Sequence, residues 1–141
     1  MVTYHRYVAL GDSFTEGVGD PDPTRPNGLR GWADRVAEVL AQESDDFGYA
    51  NLAIRGRKLG RIVEEQVDAA VALEPDLVTI HGGGNDVLRP RVDLDALARA
   101  YDDALGEGVA EGDIAVVGHR TIVTSRATQL ELRLGLPRAA L

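Results

Sequence analysis

Apolar runs of β character alternate along this chain with segments of helical period, and each run stops at a turn. Tyr4 to Leu10, Tyr49 to Ile54, Leu77 to Ile80 and Ile114 to Val117 read as four short strands. Between them, Trp32, Val36, Val39 and Leu40 fall on one helix face, and so do Leu59, Ile62, Val63, Val67, Ala70 and Val71, with Pro75 ending that pattern. Asp93 can cap a further helix whose apolar face is Leu94, Leu97, Ala98, Tyr101 and Leu105. Strand–helix alternation predicts an α/β domain, a mostly parallel sheet covered by helices on both faces. Parallel crossovers put the carboxyl ends of all strands on one edge, where such sheets bind ligands. Ser13, Gly56, Asn85 and His119 each follow a predicted strand, so all four converge on that edge.

Composition narrows the function classes. The 141 residues suit a single domain with room for a core. A net charge of −8 argues against nucleic acid or an anionic membrane surface as a partner. The absence of cysteine removes disulfides, thiolate metal sites and cysteine nucleophiles together. Neither a signal-peptide core nor a membrane-spanning run is apparent, so the expected location is cytoplasmic. Charge changes sign late in the chain: 22 of the 23 acidic residues lie at or before Asp113, whereas Arg120, Arg126, Arg133 and Arg138 follow with Glu131 alone. This predicts a main domain over 1–113 and an atypical basic tail over 114–141, contributing one more strand with a hairpin near Arg126-Ala127, or no order. A change of reading frame is a further origin for such a tail.

The chemistry concentrates in Leu10-Gly-Asp-Ser-Phe-Thr-Glu-Gly-Val-Gly19. A serine where a buried strand breaks into a turn is placed to act as a nucleophile, provided a base takes its proton and donors hold the oxyanion. The same Gly-Asp-Ser can equally be a helix cap. Two later segments bear on the choice: Asn51-Leu-Ala-Ile-Arg-Gly56 after the second strand, and Gly83-Gly-Asn-Asp86 after the third.

In order and spacing these three segments resemble the first three conserved blocks of the SGNH (GDSL-type) hydrolases. The resemblance covers roughly residues 4 to 105 and implies a flavodoxin-like three-layer α/β/α fold. It implies hydrolysis of carboxylic esters without a cofactor or metal: Ser13 attacks the acyl carbon of a small-molecule ester, and the backbone N–H groups of Ser13 and Gly56, with the Asn85 amide, hold the oxyanion. Asp12 and Asp86 are expected to fix loops as hydrogen-bond acceptors.

The fourth block of that family, Asp-x-x-His, is missing: Val2, Val78 and Val116 stand three residues before His5, His81 and His119. His119 is the sequence candidate for a base and is otherwise a surface histidine in a loop. His81, at the end of the third strand, lines the site or packs behind it. His5 lies at the wrong end of the first strand. These features support an impaired serine esterase, or a non-catalytic module holding an acyl or carbohydrate group in the same pocket. Other signatures fail. Thr15 breaks Gly-x-Ser-x-Gly, Lys58 is not in a phosphate-binding Gly-Lys-Ser/Thr, and Asp22 replaces the third glycine of a dinucleotide fingerprint.

Overall fold

The computed structural model describes residues 3–88, 93, 95–96 and 99, and the backbone of two strands at 113–117 and 122–124. Five strands, β1 (Arg6–Gly11), β2 (Gly48–Asn51), β3 (Leu77–His81), β4 (Asp113–Val117) and β5 (Ile122–Thr124), form one sheet in the order β2-β1-β3-β4-β5. The β1, β2, β3 and β4 strands run parallel, and β5 is antiparallel to β4. This is the flavodoxin-like order, in which the connections change side between β1 and β3 and open a crevice at that point.

Alternation along β1 and β3 explains the layers. Val8 and Leu10 of β1, with Val78 and Ile80 of β3, point to one face and pack under Leu59, Ile62, Val67 and Ala70 of helix α3 (Leu59–Val71). Tyr7, Ala9 and Leu77 point to the other face, against Ala33, Ala37 and Leu40 of helix α2 (Trp32–Leu40). On that face the buried Tyr7 hydroxyl shares a 2.8 Å hydrogen bond with Thr79 Oγ1, and burial pushes the Tyr7 phenol well above its ordinary pKa. Two short helices, α1 (Ser13–Glu16) and α4 (Gly84–Val87), start directly after β1 and β3.

Boundaries differ from the sequence expectation for identifiable reasons. The first strand starts at Arg6, because the Asp76 carboxylate takes the N–H groups of His5 and Arg6 at 2.7 and 2.9 Å. The second strand ends at Asn51, where the Asn51 Oδ1 accepts from Ala53 N in a local turn. Leu52 and Ile54 nonetheless donate to the Ala9 and Gly11 carbonyls, so the segment leading to Gly56 still runs alongside β1. After β4, the short strand β5 pairs antiparallel with it, Val117 opposite Ile122. The expected hairpin at Arg126-Ala127 lies outside the described residues.

The Asp20–Gly28 loop is irregular, as its prolines require, yet it is fastened down. Arg25 and Arg30 both pair with Glu38 of α2. Beneath it, Gly17 (φ +94°) and Gly31 pass so closely that a Cβ on Gly17 would sit 2.7 Å from the Gly31 nitrogen. Backbone cannot yield as a side chain does, and the positive φ adds strain. Gly17→Ala should therefore cost about 2–4 kcal/mol, read as a fall in the urea midpoint at unchanged slope.

Candidate active site

At the end of β1 the Gly11 peptide is gripped from α3. Gln66 accepts from Gly11 N–H at 2.8 Å and donates to the Gly11 carbonyl at 2.9 Å, and its side chain is only 2% exposed. Gly11 must be glycine here, since a Cβ would strike Thr15 Oγ1 and approach the His81 carbonyl to 2.6 Å. The next residue, Asp12, is buried and caps α1, its Oδ1 accepting from Phe14 N–H at 3.1 Å. Gly-Asp-Ser is thus a helix cap in this fold. The cap uses Asp12, however, and leaves Ser13 at the first helical position, half-buried, with neither its N–H nor its hydroxyl bonded to any described residue.

Asn85 joins this turn to the glycine loop. Its Nδ2 donates to the Arg57 carbonyl at 2.9 Å and to Asp12 Oδ2 at 3.3 Å. One amide group therefore bridges the residue before Ser13 and the residue after Gly56. Gly56 is exposed in a positive-φ turn (φ +76°), and its N–H has no partner among the described residues. The loop is held on its other side by Glu16 of α1, whose carboxylate accepts from both the backbone N–H and the guanidinium of Arg55. That hydrogen-bonded pairing keeps the Arg55 guanidinium above its ordinary pKa. Asp86 accepts from Leu59 N–H at 3.0 Å and so fixes the start of α3.

The three histidines are placed very differently. His5 is exposed and bonded to Asp46 and Ser44, away from Ser13. His119 follows β4 in the chain and lies outside the described residues. His81, the register partner of Gly11, is 14% exposed in its side chain. Its ring lies against Phe14, with centroids 5.5 Å apart, and its Nδ1 is 3.8 Å from Asp12 Oδ1.

Gln66 was not marked by the sequence reading. The signal was present: it sits three and four residues from Val63 and Ile62, inside the apolar stripe of α3, where a polar residue needs a buried partner. Gln66→Leu would strand the buried Gly11 N–H at a cost of about 1–3 kcal/mol, while the Gly11 carbonyl keeps the Ile54 N–H as its donor. Thermal denaturation should show the loss. Gln66→Glu keeps an acceptor for the Gly11 N–H but sets a buried carboxylate against the Gly11 carbonyl, so it should also melt lower at neutral pH and recover as the pH falls.

A Gly-Asp-Ser turn after β1, tied by one asparagine amide to the glycine loop after β2 on a sheet of flavodoxin-like order, matches the SGNH-type α/β hydrolases. The chain belongs to the GDSL-like lipase/acylhydrolase family, whose model matches residues 9–139. Among known proteins, it is 31% identical over 87 residues to the uncharacterized protein YpmR of Bacillus subtilis (strain 168), a match covering 58% of this chain and 32% of that protein. Its fold is similar to that of TesA, with a TM-score of 0.67, 25% identity and coverage of 83% of this chain and 62% of the other. It is likewise similar to the acetylxylan esterase Axe2 of Geobacillus stearothermophilus, with a TM-score of 0.63, 21% identity and coverage of 79% and 58%. The chain spans about a third of the curated relative and about three fifths of these structures. No helix among the described residues is long and apolar enough to cross a membrane.

Proposed function

We propose that this chain is a slow serine esterase acting on small carboxylic esters. Ser13 is the nucleophile, and the N–H groups of Ser13 and Gly56 with the Asn85 amide form the oxyanion hole. The observation that carries the reading is the Asn85 bridge, because one side chain ties the serine turn to the glycine loop. As the Ser13 Oγ adds to the acyl carbon, the carbonyl electron pair moves onto oxygen and is met by these donors. The leaving alkoxide departs with a proton, and water then releases the acid from the acyl-serine. Asp-x-x-His does not occur in these 141 residues, and the slow turnover proposed is the residual catalysis that an oxyanion hole and binding support by themselves. A fluorophosphonate probe tests this, since it labels an activated serine: labelling should occur at Ser13 and vanish in Ser13→Ala.

The missing Asp-x-x-His also favours a second reading, a non-catalytic module that holds an acyl or carbohydrate group in the same crevice. That reading requires an intact, folded protein that the probe leaves unlabelled.

A further inference from the structure

We propose that Glu16 is a positioning residue for the reaction, its carboxylate clamping the Arg55-Gly56 turn to the helix that carries Ser13 so that the Gly56 N–H is held as an oxyanion donor. This rests on the esterase reading above and gives one of its donors a fixed place. The need for a clamp follows from the turn itself. Residues 54–56 are exposed, and Arg57 N–H closes the turn on the Ile54 carbonyl at a long 3.3 Å, with Arg55 and Gly56 at its corner. Gly56 sits at φ +76° without a side chain, so it cannot itself restrain where its N–H points. A wandering donor stabilises an oxyanion poorly, because the benefit comes from being in place before the charge develops.

Glu16 supplies the restraint from the last position of α1, the helix that Ser13 begins. Its Oε2 accepts from the Arg55 N–H at 2.8 Å, one residue before Gly56. Both oxygens also accept from the Arg55 guanidinium, from Nε at 3.0 Å each and from Nη2 to Oε1 at 2.7 Å. One carboxylate therefore holds the main chain and the side chain of the same residue. The clamp is anchored at its own base: Glu16 N–H donates to the Asp12 carbonyl at 2.9 Å, and Asn51 Nδ2 donates to the Thr15 carbonyl at 2.7 Å. On the far side of Gly56, Asn85 holds the Arg57 carbonyl at 2.9 Å. Gly56 is thus bracketed by two gripped peptide groups, one tied to α1 and the other to α4. The Arg57 guanidinium offers a contrast, since its 2.7 Å bond to Glu65 of α3 joins side chains alone.

Magnitudes separate this role from a merely stabilising one. The Arg55 side chain is 63% exposed, and an ion pair that open adds little to stability. Displacing a catalytic group by about 1 Å, in contrast, costs about 100-fold in rate. Glu16→Ala should therefore lower kcat on an activated aryl ester, and the rate of Ser13 labelling by a fluorophosphonate, by about 100-fold, with KM and the melting curve close to the parent's. Glu16→Gln keeps an oxygen for the Arg55 N–H and should recover most of the loss. Arg55→Ala, which keeps the same backbone bond, should lie near Glu16→Gln. Glu65→Ala, which cuts only the side-chain pair with Arg57, should label at the parent's rate. In an NMR spectrum, phosphonylation of Ser13 should move the Gly56 amide proton downfield in the parent and by much less in Glu16→Ala. Labelling of Glu16→Ala within a few-fold of the parent, or Glu16→Gln as slow as Glu16→Ala, overturns the assignment. So does a Glu65→Ala variant as slow as Glu16→Ala, or a Gly56 amide left unmoved in a labelled parent. A parent that never labels at Ser13 sinks the esterase reading and this role together, a different result from a labelled parent indifferent to Glu16.

Discussion

Ser13→Ala is expected to reduce hydrolysis of an activated aryl ester to the background left by binding alone, with no change in melting temperature. The two halves of this expectation come from different atoms. The cap of α1 is made by the Asp12 carboxylate and Phe14 N–H, neither of which the substitution touches. Ser13 contributes a hydroxyl that no described residue engages, so removing it strands no buried partner. Alanine is a good helix former at the position Ser13 occupies. Catalysis, in contrast, has no substitute nucleophile. Removing one member of a serine-based unit costs on the order of 10⁴–10⁶ in kcat where the unit is complete. With the slow turnover proposed above, the measurable drop is bounded by the parent rate above background. Single-turnover acylation, followed by mass spectrometry of the intact protein, gives the widest window. A burst that persists in Ser13→Ala, or a cooperative loss of structure on substitution, would contradict the assignment of a dispensable fold role and an essential chemical one.

Much of this was legible because local pattern and global fold agree. The stripe of Leu59, Ile62, Val67 and Ala70 along α3 is the one that packs on the sheet, whereas on α2 the buried face is Ala33, Ala37 and Leu40, with Trp32 and Val36 at its margin and Val39 exposed. A sheet with parallel crossovers then leaves little freedom as to where its strands end, and the turns after β1 and β3 fall side by side. What was not legible depends on contacts between residues distant in sequence. Gln66 reaches 55 positions back to Gly11, and Asn85 reaches 73 back to Asp12. Periodicity marks Gln66 as buried yet cannot say which backbone groups it satisfies. The short helices α1 and α4, four residues each, are below the length at which a periodic signal exists. His81 was readable as a residue at a strand end, but its pairing with Asp12 and Phe14 follows from the register of β1 on β3, which a single sequence does not encode.

Asn85 carries the second large effect, because it is used twice. Its amide nitrogen has two hydrogens, and both have acceptors in the resting site: the Arg57 carbonyl at a normal 2.9 Å and Asp12 Oδ2 at a long 3.3 Å. In the proposed reaction a developing oxyanion is a better acceptor than a distant carboxylate oxygen, so the long contact is the one that would be exchanged. The short bond to Arg57 then keeps the amide aimed and holds the Gly56 loop in place. Asn85→Ala removes both functions and should lower kcat by about 10²–10³, the usual consequence of losing one oxyanion donor, with KM changed much less. Asn85→Asp is the sharper probe. It preserves shape but converts the donor to an acceptor, placing a second carboxylate beside the buried Asp12 and facing the Arg57 carbonyl. Like charges at that distance disfavour joint ionisation, so this variant should lose activity at least as far as Asn85→Ala and should also melt lower at neutral pH. Its melting temperature should recover as the pH is lowered and one of the two carboxyls takes up a proton. If Asn85→Asp instead matched the parent in both rate and melting temperature, the amide would be neither donor nor bridge, and the serine turn and glycine loop would have to be held together by other means.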